Sequence, residues 1–158
     1  MCWRLAYSIW PDLEEGLAKY NQRTEVGITR QEFKRIYGHV LAAIFCLKDG
    51  ALIAEWYSES LSQFMGCTPE DNIIIANQKR LLHPDDWPRL KADECKILGE
   101  PGIHQGKYRI FPDDGRMHHI LVASWCVRTE KDILVFRIYR DITGQEIIKE
   151  YINNKAAS

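Results

Sequence analysis

The stretch LLHPDDWPRL, residues 81–90, places His83, Asp85 and Asp86 within four positions, with prolines at 84 and 88. Histidine and aspartate bind metals and move protons, so the cluster invites a catalytic reading. The same letters also spell a helix start. With Pro84 as the first helical residue, Asp85 and Asp86 fall in the first turn, where negative charge suits the helix dipole. Asp86 then sits at the third position and accepts the backbone N–H of residue 83. This predicts a helix from 84 to about 98, stopped at Gly99. Its apolar face (Trp87, Leu90, Leu98) is broken by Lys91 and Glu94, which predicts partial burial. Metal binding and acid–base catalysis need side chains that converge from different directions, whereas adjacent acids at a helix start point apart. The helix start is the preferred reading. A small metal- or acid/base-dependent enzyme using His83, Asp85 and Asp86 is one alternative for the chain, and a purely structural protein-interaction module without ligand is the other.

Upstream, residues 11–22 (PDLEEGLAKYNQ) carry helical spacing, and TRQEFKRIYG (29–38) adds a Thr29–Glu32 capping box closed by Gly38. The period then changes. Residues 40–47 are apolar and strand-sized, KDG (48–50) is an Asp-Gly hairpin signal, and 51–57 runs back as a second strand. Helical spacing returns at Leu61, Phe64 and Met65, and Gly66 ends it. TPED (68–71) reads as another helix start, with Asp71 reaching back to Thr68.

Downstream, residues 106–111, 117–127 and 133–140 form a three-stranded meander through the turns PDDG and TEKD. In the last strand Leu134, Phe136 and Ile138 make one uniformly apolar face. Ile133, Val135 and Tyr139 make the other, interrupted by Arg137. A one-layer sheet facing water would not be apolar on both faces, so something should cover the second: the N-terminal helices or a partner subunit. TGQE (143–146) opens a final helix whose stripe of Ile147, Ile148, Tyr151 and Ile152 suggests continuation or pairing. The element order implies an α+β domain built on one antiparallel sheet.

The bulk properties bound the function. The chain has 158 residues and a net charge of −1, which supplies no field for nucleic acid or an acidic membrane surface. No apolar run approaches a membrane span. The five cysteines are odd in number, widely spaced and without a CxxC, which argues against a disulfide framework or zinc site and for a reducing, cytoplasmic setting. Cys46 and Cys126 read as small core residues; Cys67 sits at a turn, open to reaction, but nothing cationic beside it in the sequence favours a thiolate, which argues against redox sensing. His118 and His119 are strand neighbours facing opposite sides, so they do not chelate one metal together.

Four segments, in order, resemble a PAS domain of bacterial signalling proteins across residues 39–146: WYSESLSQFMGCTPED, LLHPDDWPRL, YRIFPDDGRMHHI and YRDITGQE. The resemblance implies a five-stranded antiparallel sheet with helices on one face. It implies an N-terminal helical extension (1–38), the domain itself (39–142) and an exit helix (143–158). It implies a non-catalytic sensor and dimerisation role, as a homodimer. The signal would pass to an output module in the same full-length protein, such as a histidine kinase or a cyclic-dinucleotide synthase. A small-molecule ligand would sit between sheet and helices, its pocket drawn from Trp56, Trp87, Tyr108, Trp125, Phe136 and Ile138, which could equally fill a core. Asp141, Ile142 and Thr143 would transmit the signal. Residues 72–79 lack the light-sensing flavin signature, and 87–98 lack the histidine of haem-binding members, so neither a photochemical flavin adduct nor haem is implied.

Overall fold

The computed structural model of the chain describes residues 28–71 and 81–157. The helix expected over 11–22 and the segment 72–79 lie outside them.

The first described element is helix α1, Arg30–Tyr37. Thr29 caps it, its hydroxyl accepting the Glu32 N–H at 3.1 Å. Arg30 puts a cation at the helix start, against the dipole, and the Glu55 and Asp132 carboxylates offset it. Strands β1 (Leu41–Lys48) and β2 (Ala51–Tyr57) follow. Their two-residue turn has Asp49 at φ 52° and Gly50 at φ 78°, the paired positive φ values that a type I′ hairpin requires. A bulge after Ile44 shifts the register, so that Ile44 faces Trp56 but Phe45 faces Ala54.

Helix α2, Glu59–Met65, starts at Ser58 and ends at Gly66 in the left-handed conformation, φ 72°. A side chain at 66 would also collide with Asp113, 2.5 Å from where its Cβ would stand. The Thr68–Asp71 box is present, with Asp71 accepting the Thr68 N–H at 3.0 Å. LLHPDDWPRL differs in detail from its expected form. Pro84–Asp86 is one tight 3-10 turn, and helix α3 spans Trp87–Gly99. Asp86 does not cap residue 83. The His83 N–H donates instead to the Arg109 carbonyl at 2.9 Å, and the His83 ring accepts the Asp85 N–H at 3.1 Å.

Strands β3 (His104–Ile110), β4 (His118–Arg128) and β5 (Ile133–Asp141) lead to helix α4, Thr143–Ala157. The five strands form one antiparallel sheet in the order β2-β1-β5-β4-β3. The chain therefore leaves one edge, β2, and enters the other, β3, so the segment between them crosses a whole face.

The opposite face belongs to α1 of the same chain. Phe33, fully buried, stacks on Phe136 with centroids 4.5 Å apart and meets Trp125 edge-on at 5.8 Å. Tyr37, Ile44, Leu134 and Ile138 complete this core. Phe33→Ala is expected to destabilise the chain by roughly 3–5 kcal/mol in urea unfolding, because the ring closes a packed aromatic cluster. Arg35→Ala, on the exposed side of the same helix, should change stability by no more than about 0.5 kcal/mol.

Candidate functional site

The crossover face encloses a cavity of about 590 Å³, roofed by α2 and α3 and floored by the sheet. That volume lies in the range of small-molecule sites. The walls are tied down at three points. Ser58, fully buried, accepts the Leu61 N–H at 3.2 Å, accepts the Ala42 N–H at 3.1 Å and donates to the Val40 carbonyl at 2.7 Å, fixing the start of α2 to β1. Asp86, 2% exposed, takes the Arg109 N–H at 2.7 Å and the Arg109 side chain through Nε at 3.1 Å and Nη2 at 2.5 Å. The Arg109 guanidinium holds the Asp86 carboxyl below the usual carboxylate range despite burial. Tyr108 donates its hydroxyl to Asp93 of α3. Its ring lies where a side chain on Gly106 would stand, 2.6 Å from the Tyr108 oxygen, so glycine there keeps the space open. Burial first, then the Asp93 carboxylate, push the Tyr108 phenol above its ordinary value.

The six residues expected to line a pocket separate. Trp87 and Tyr108 do line the cavity. Trp125, Phe136 and Ile138 lie in the solid core under α1, and Trp56 packs against that core. Strand alternation is the reason. Phe136 is cross-strand partner of Trp125 and Ile44, Ile44 of Trp56, and Ile138 of Ala123 and Ala42, all on the α1 face. The face that Arg137 interrupts is the one that encloses space. Arg137 lines the cavity at 7% exposure, flanked on neighbouring strands by Ala43 and Ser124. Reasoning from aromatic content missed it, although the one charge within the otherwise apolar run 133–139 was a visible signal.

His83, Asp85 and Asp86 do not gather into a reactive group, since Asp86 is turned to Arg109 and the His83 ring to the Asp85 amide. Among the described residues no group of three or more His, Cys, Asp or Glu is arranged to hold a metal ion. Cys46 is buried in the core and Cys126 is partly buried; Cys67, half-buried, packs against the apolar cluster on the crossover side of the sheet.

At the far end of β5 the expected joint carries more than its own three residues. Asp141 Oδ1 accepts the Thr143 N–H at 2.9 Å and the Thr143 hydroxyl, capping α4. The Thr143 hydroxyl accepts the His119 N–H at 3.0 Å, and the Ile142 N–H donates to the His119 carbonyl at 2.8 Å. His118 is gripped from both sides: Nδ1 lies 2.7 Å from Asp141 and Nε2 lies 2.7 Å from Asp114. Its ring meets Phe64, a cavity residue of α2, edge-on at 5.4 Å. Contacts thus run unbroken from cavity wall to exit helix.

An α+β domain with helices on both faces of one antiparallel sheet, a cavity under its crossover helices and a capped helix leaving its central strand is the class these features define. No protein-family model matches the sequence, and no curated protein matches it. Solved structures share the fold. A sensory box histidine kinase/response regulator from Burkholderia thailandensis aligns over 80% of this chain and 94% of its own, with 15% identity and a TM-score of 0.56. The N-terminal domain of a diguanylate cyclase with PAS/PAC sensor from Marinobacter aquaeolei covers 66% of this chain and 98% of its own, at 16% identity and TM-score 0.53. The PAS domain of a Colwellia psychrerythraea protein covers 72% and 97%, at 18% identity and TM-score 0.55. The chain has the PAS fold.

The His118 clasp makes a pH prediction. Burial alone would lower the His118 pKa, but Asp114 and Asp141 overcome it and raise it above the ordinary value of 6.5. The Arg116 N–H and then His118 hold Asp114 low; Asp141 is held low, against its burial, by the Thr143 hydroxyl and N–H and by His118. A raised histidine pKa stabilises the fold fully below the unfolded value and loses that contribution as pH rises through the folded value. Unfolding midpoints measured from pH 5 to 9 should therefore show the parent chain losing, above about pH 6.5, an advantage over His118→Gln that it holds in acid. A constant difference across that range would refute the clasp.

Proposed function

We propose that this chain is a non-catalytic sensor and dimerisation module of a cytoplasmic signalling protein. Occupancy of the cavity, by a small molecule, biases the arrangement of sheet and terminal helices. The change leaves through Asp141, Ile142 and Thr143 into α4 and on to an output module of the same full-length protein, a histidine kinase or a cyclic-dinucleotide synthase. The observation that carries this reading is the route from cavity to helix: Phe64 in the wall, His118 against it, Asp141 on His118, and Thr143 on Asp141. The sensor-bearing kinase and cyclase structures of the same fold support the choice of output.

Dimerisation is supported by α4. Ile147, Ile148, Tyr151 and Ile152 are 59, 60, 61 and 58% exposed, an apolar stripe at helical spacing. The expected contact is α4 against α4 of a second copy. Sedimentation velocity at rising concentration should show a dimer for the parent chain and a monomer for the Ile148→Asp, Ile152→Asp double variant. A parent chain that stays monomeric at high concentration would remove dimerisation from the reading.

The relay is tested by filling the cavity from within. Val122, buried on β4, lines it. Val122→Phe mimics an occupant and should change amide exchange several-fold in the first turn of α4, where the Glu146 N–H bonds the Ile142 carbonyl. The response should vanish in a Thr143→Val background. Identical exchange in parent and Val122→Phe chains would sink the relay.

A further inference from the structure

Three arginines of this chain can be compared by what fills the donor fork formed by Nε–H and Nη2–H. Arg30 gives the fork to Glu55, at 2.7 and 2.9 Å. Arg109 gives it to Asp86, at 3.1 and 2.5 Å. Both are side-on pairs with one carboxylate, the strongest geometry a guanidinium makes. Arg137 is far more buried than either, with 8% of its side chain exposed against 35% and 34%. Yet its Nε and Nη2 have no hydrogen-bond partner. These are the same two atoms that the other arginines spend on a carboxylate.

A buried cation with unmade hydrogen bonds is costly, and such groups are rare in folded chains. The surroundings of Arg137 stabilise the charge without using the fork. The Phe45 ring lies 4.5 Å from the guanidinium carbon and covers one face of it. Glu94 of α3 comes to 3.6 Å from Nη2, near enough to lower the cost of the charge and outside hydrogen-bond distance. The two lateral neighbours, Ala43 and Ser124, are small, and Tyr139, two residues on along β5, takes a side-chain hydrogen bond from Arg137, which leaves Nε and Nη2 unfilled. Leu61, Met65, Trp87 and Ile110 supply apolar wall, and Lys91 and Lys96 of α3 also line the cavity.

We infer that the cavity takes a small organic acid: an apolar body against those walls and one carboxylate in the Nε/Nη2 fork of Arg137. The inference rests on the reading of the cavity as a ligand site and adds the chemical class. Glu94 is the built-in competitor. It neutralises Arg137 when the cavity is empty, and a ligand carboxylate displaces it. Glu94 side-chain exposure is 20%, so it already borders solvent and has somewhere to go.

The test uses matched probes on the purified chain: 2-naphthoate, indole-3-acetate and decanoate, each beside its primary amide. Amide and acid have the same body and differ in the charge offered to the fork. Binding is followed by calorimetry and by Trp87 fluorescence against a Trp87→Phe control. Carboxylates should bind at least 10-fold tighter than their amides, and Arg137→Gln should remove that preference, weakening the acids roughly 10- to 100-fold. Glu94→Gln, which keeps the shape and removes the competitor, should tighten the acids several-fold and leave the amides unchanged. That variant keeps the inference testable if Arg137→Gln fails to fold. Amides that bind as well as acids would overturn this inference and leave the ligand-site reading standing. So would acids that keep their advantage in Arg137→Gln, or lose affinity in Glu94→Gln. If no member of any pair binds, the ligand-site reading falls and this inference with it.

Discussion

β5 is the middle strand of five, and both of its faces are shut away from water. A helix-free antiparallel sheet tolerates one wet face; this one tolerates none, because Leu134, Phe136 and Ile138 point one way while Val135 and Tyr139 point the other. The architecture follows from that demand. One face is completed by α1, which needs only two turns because Phe33 and Tyr37 concentrate its apolar area on the aromatic row of the sheet. The other face is completed by the crossover between the two edge strands, a longer and looser cover. The packed face is solid, and the crossover face keeps the space.

The crossover stays in place through polar anchors as much as through apolar contact. Ser58 and Asp86, 0% and 2% exposed, sit at the beginnings of α2 and α3. Ser58 satisfies backbone donors of a strand and of a helix, and Asp86 takes the backbone N–H and the guanidinium of Arg109 on β3. A buried polar group with all its partners specifies one arrangement, since any slide leaves bonds unmade. Tyr108 adds a third tie, between β3 and α3, and Arg89 stacks over its ring at 5.1 Å. Rigid walls matter for a cavity: a roof free to settle would close on the sheet and remove the volume.

Much of this was legible in the sequence. The hairpin at 48–50, the start and stop of α2, the three-stranded meander and the exit helix rest on local chemistry, and the strands fall within a residue or two of their expected limits. Which face of the sheet would hold the cavity was not legible. Alternation sorts residues into two sets but does not say which set meets which cover. Aromatic size pointed to Trp125 and Phe136, yet large rings fill space, and they filled the α1 side. Arg137 looked like a blemish in an apolar strand and marks the open side. In LLHPDDWPRL the expected capping bond of Asp86 gives way to another: its partner lies 23 residues downstream, beyond any capping rule. His118 escaped for the same reason, since its two carboxylates come from a turn and from the end of another strand.

Arg137 and Asp141 lie four residues apart on the same face of the same strand, about 13 Å at the usual rise. An extended, fully paired strand is stiff along that length, so its ends move together. At one end the guanidinium, under the proposed relay, would meet whatever occupies the cavity. At the other the carboxylate caps α4 and holds His118. A chain that spread these groups over different elements would need a hinge or a sliding helix to connect them. Placing both on the central strand needs neither: in the proposed relay a shift of β5 against β4 would act on the Asp141–Thr143 cap directly. The cap is also the weaker partner in that contest, because it is exposed while the strand is paired on both sides. Strain entering at Arg137 would therefore be released at the exit helix rather than in the sheet.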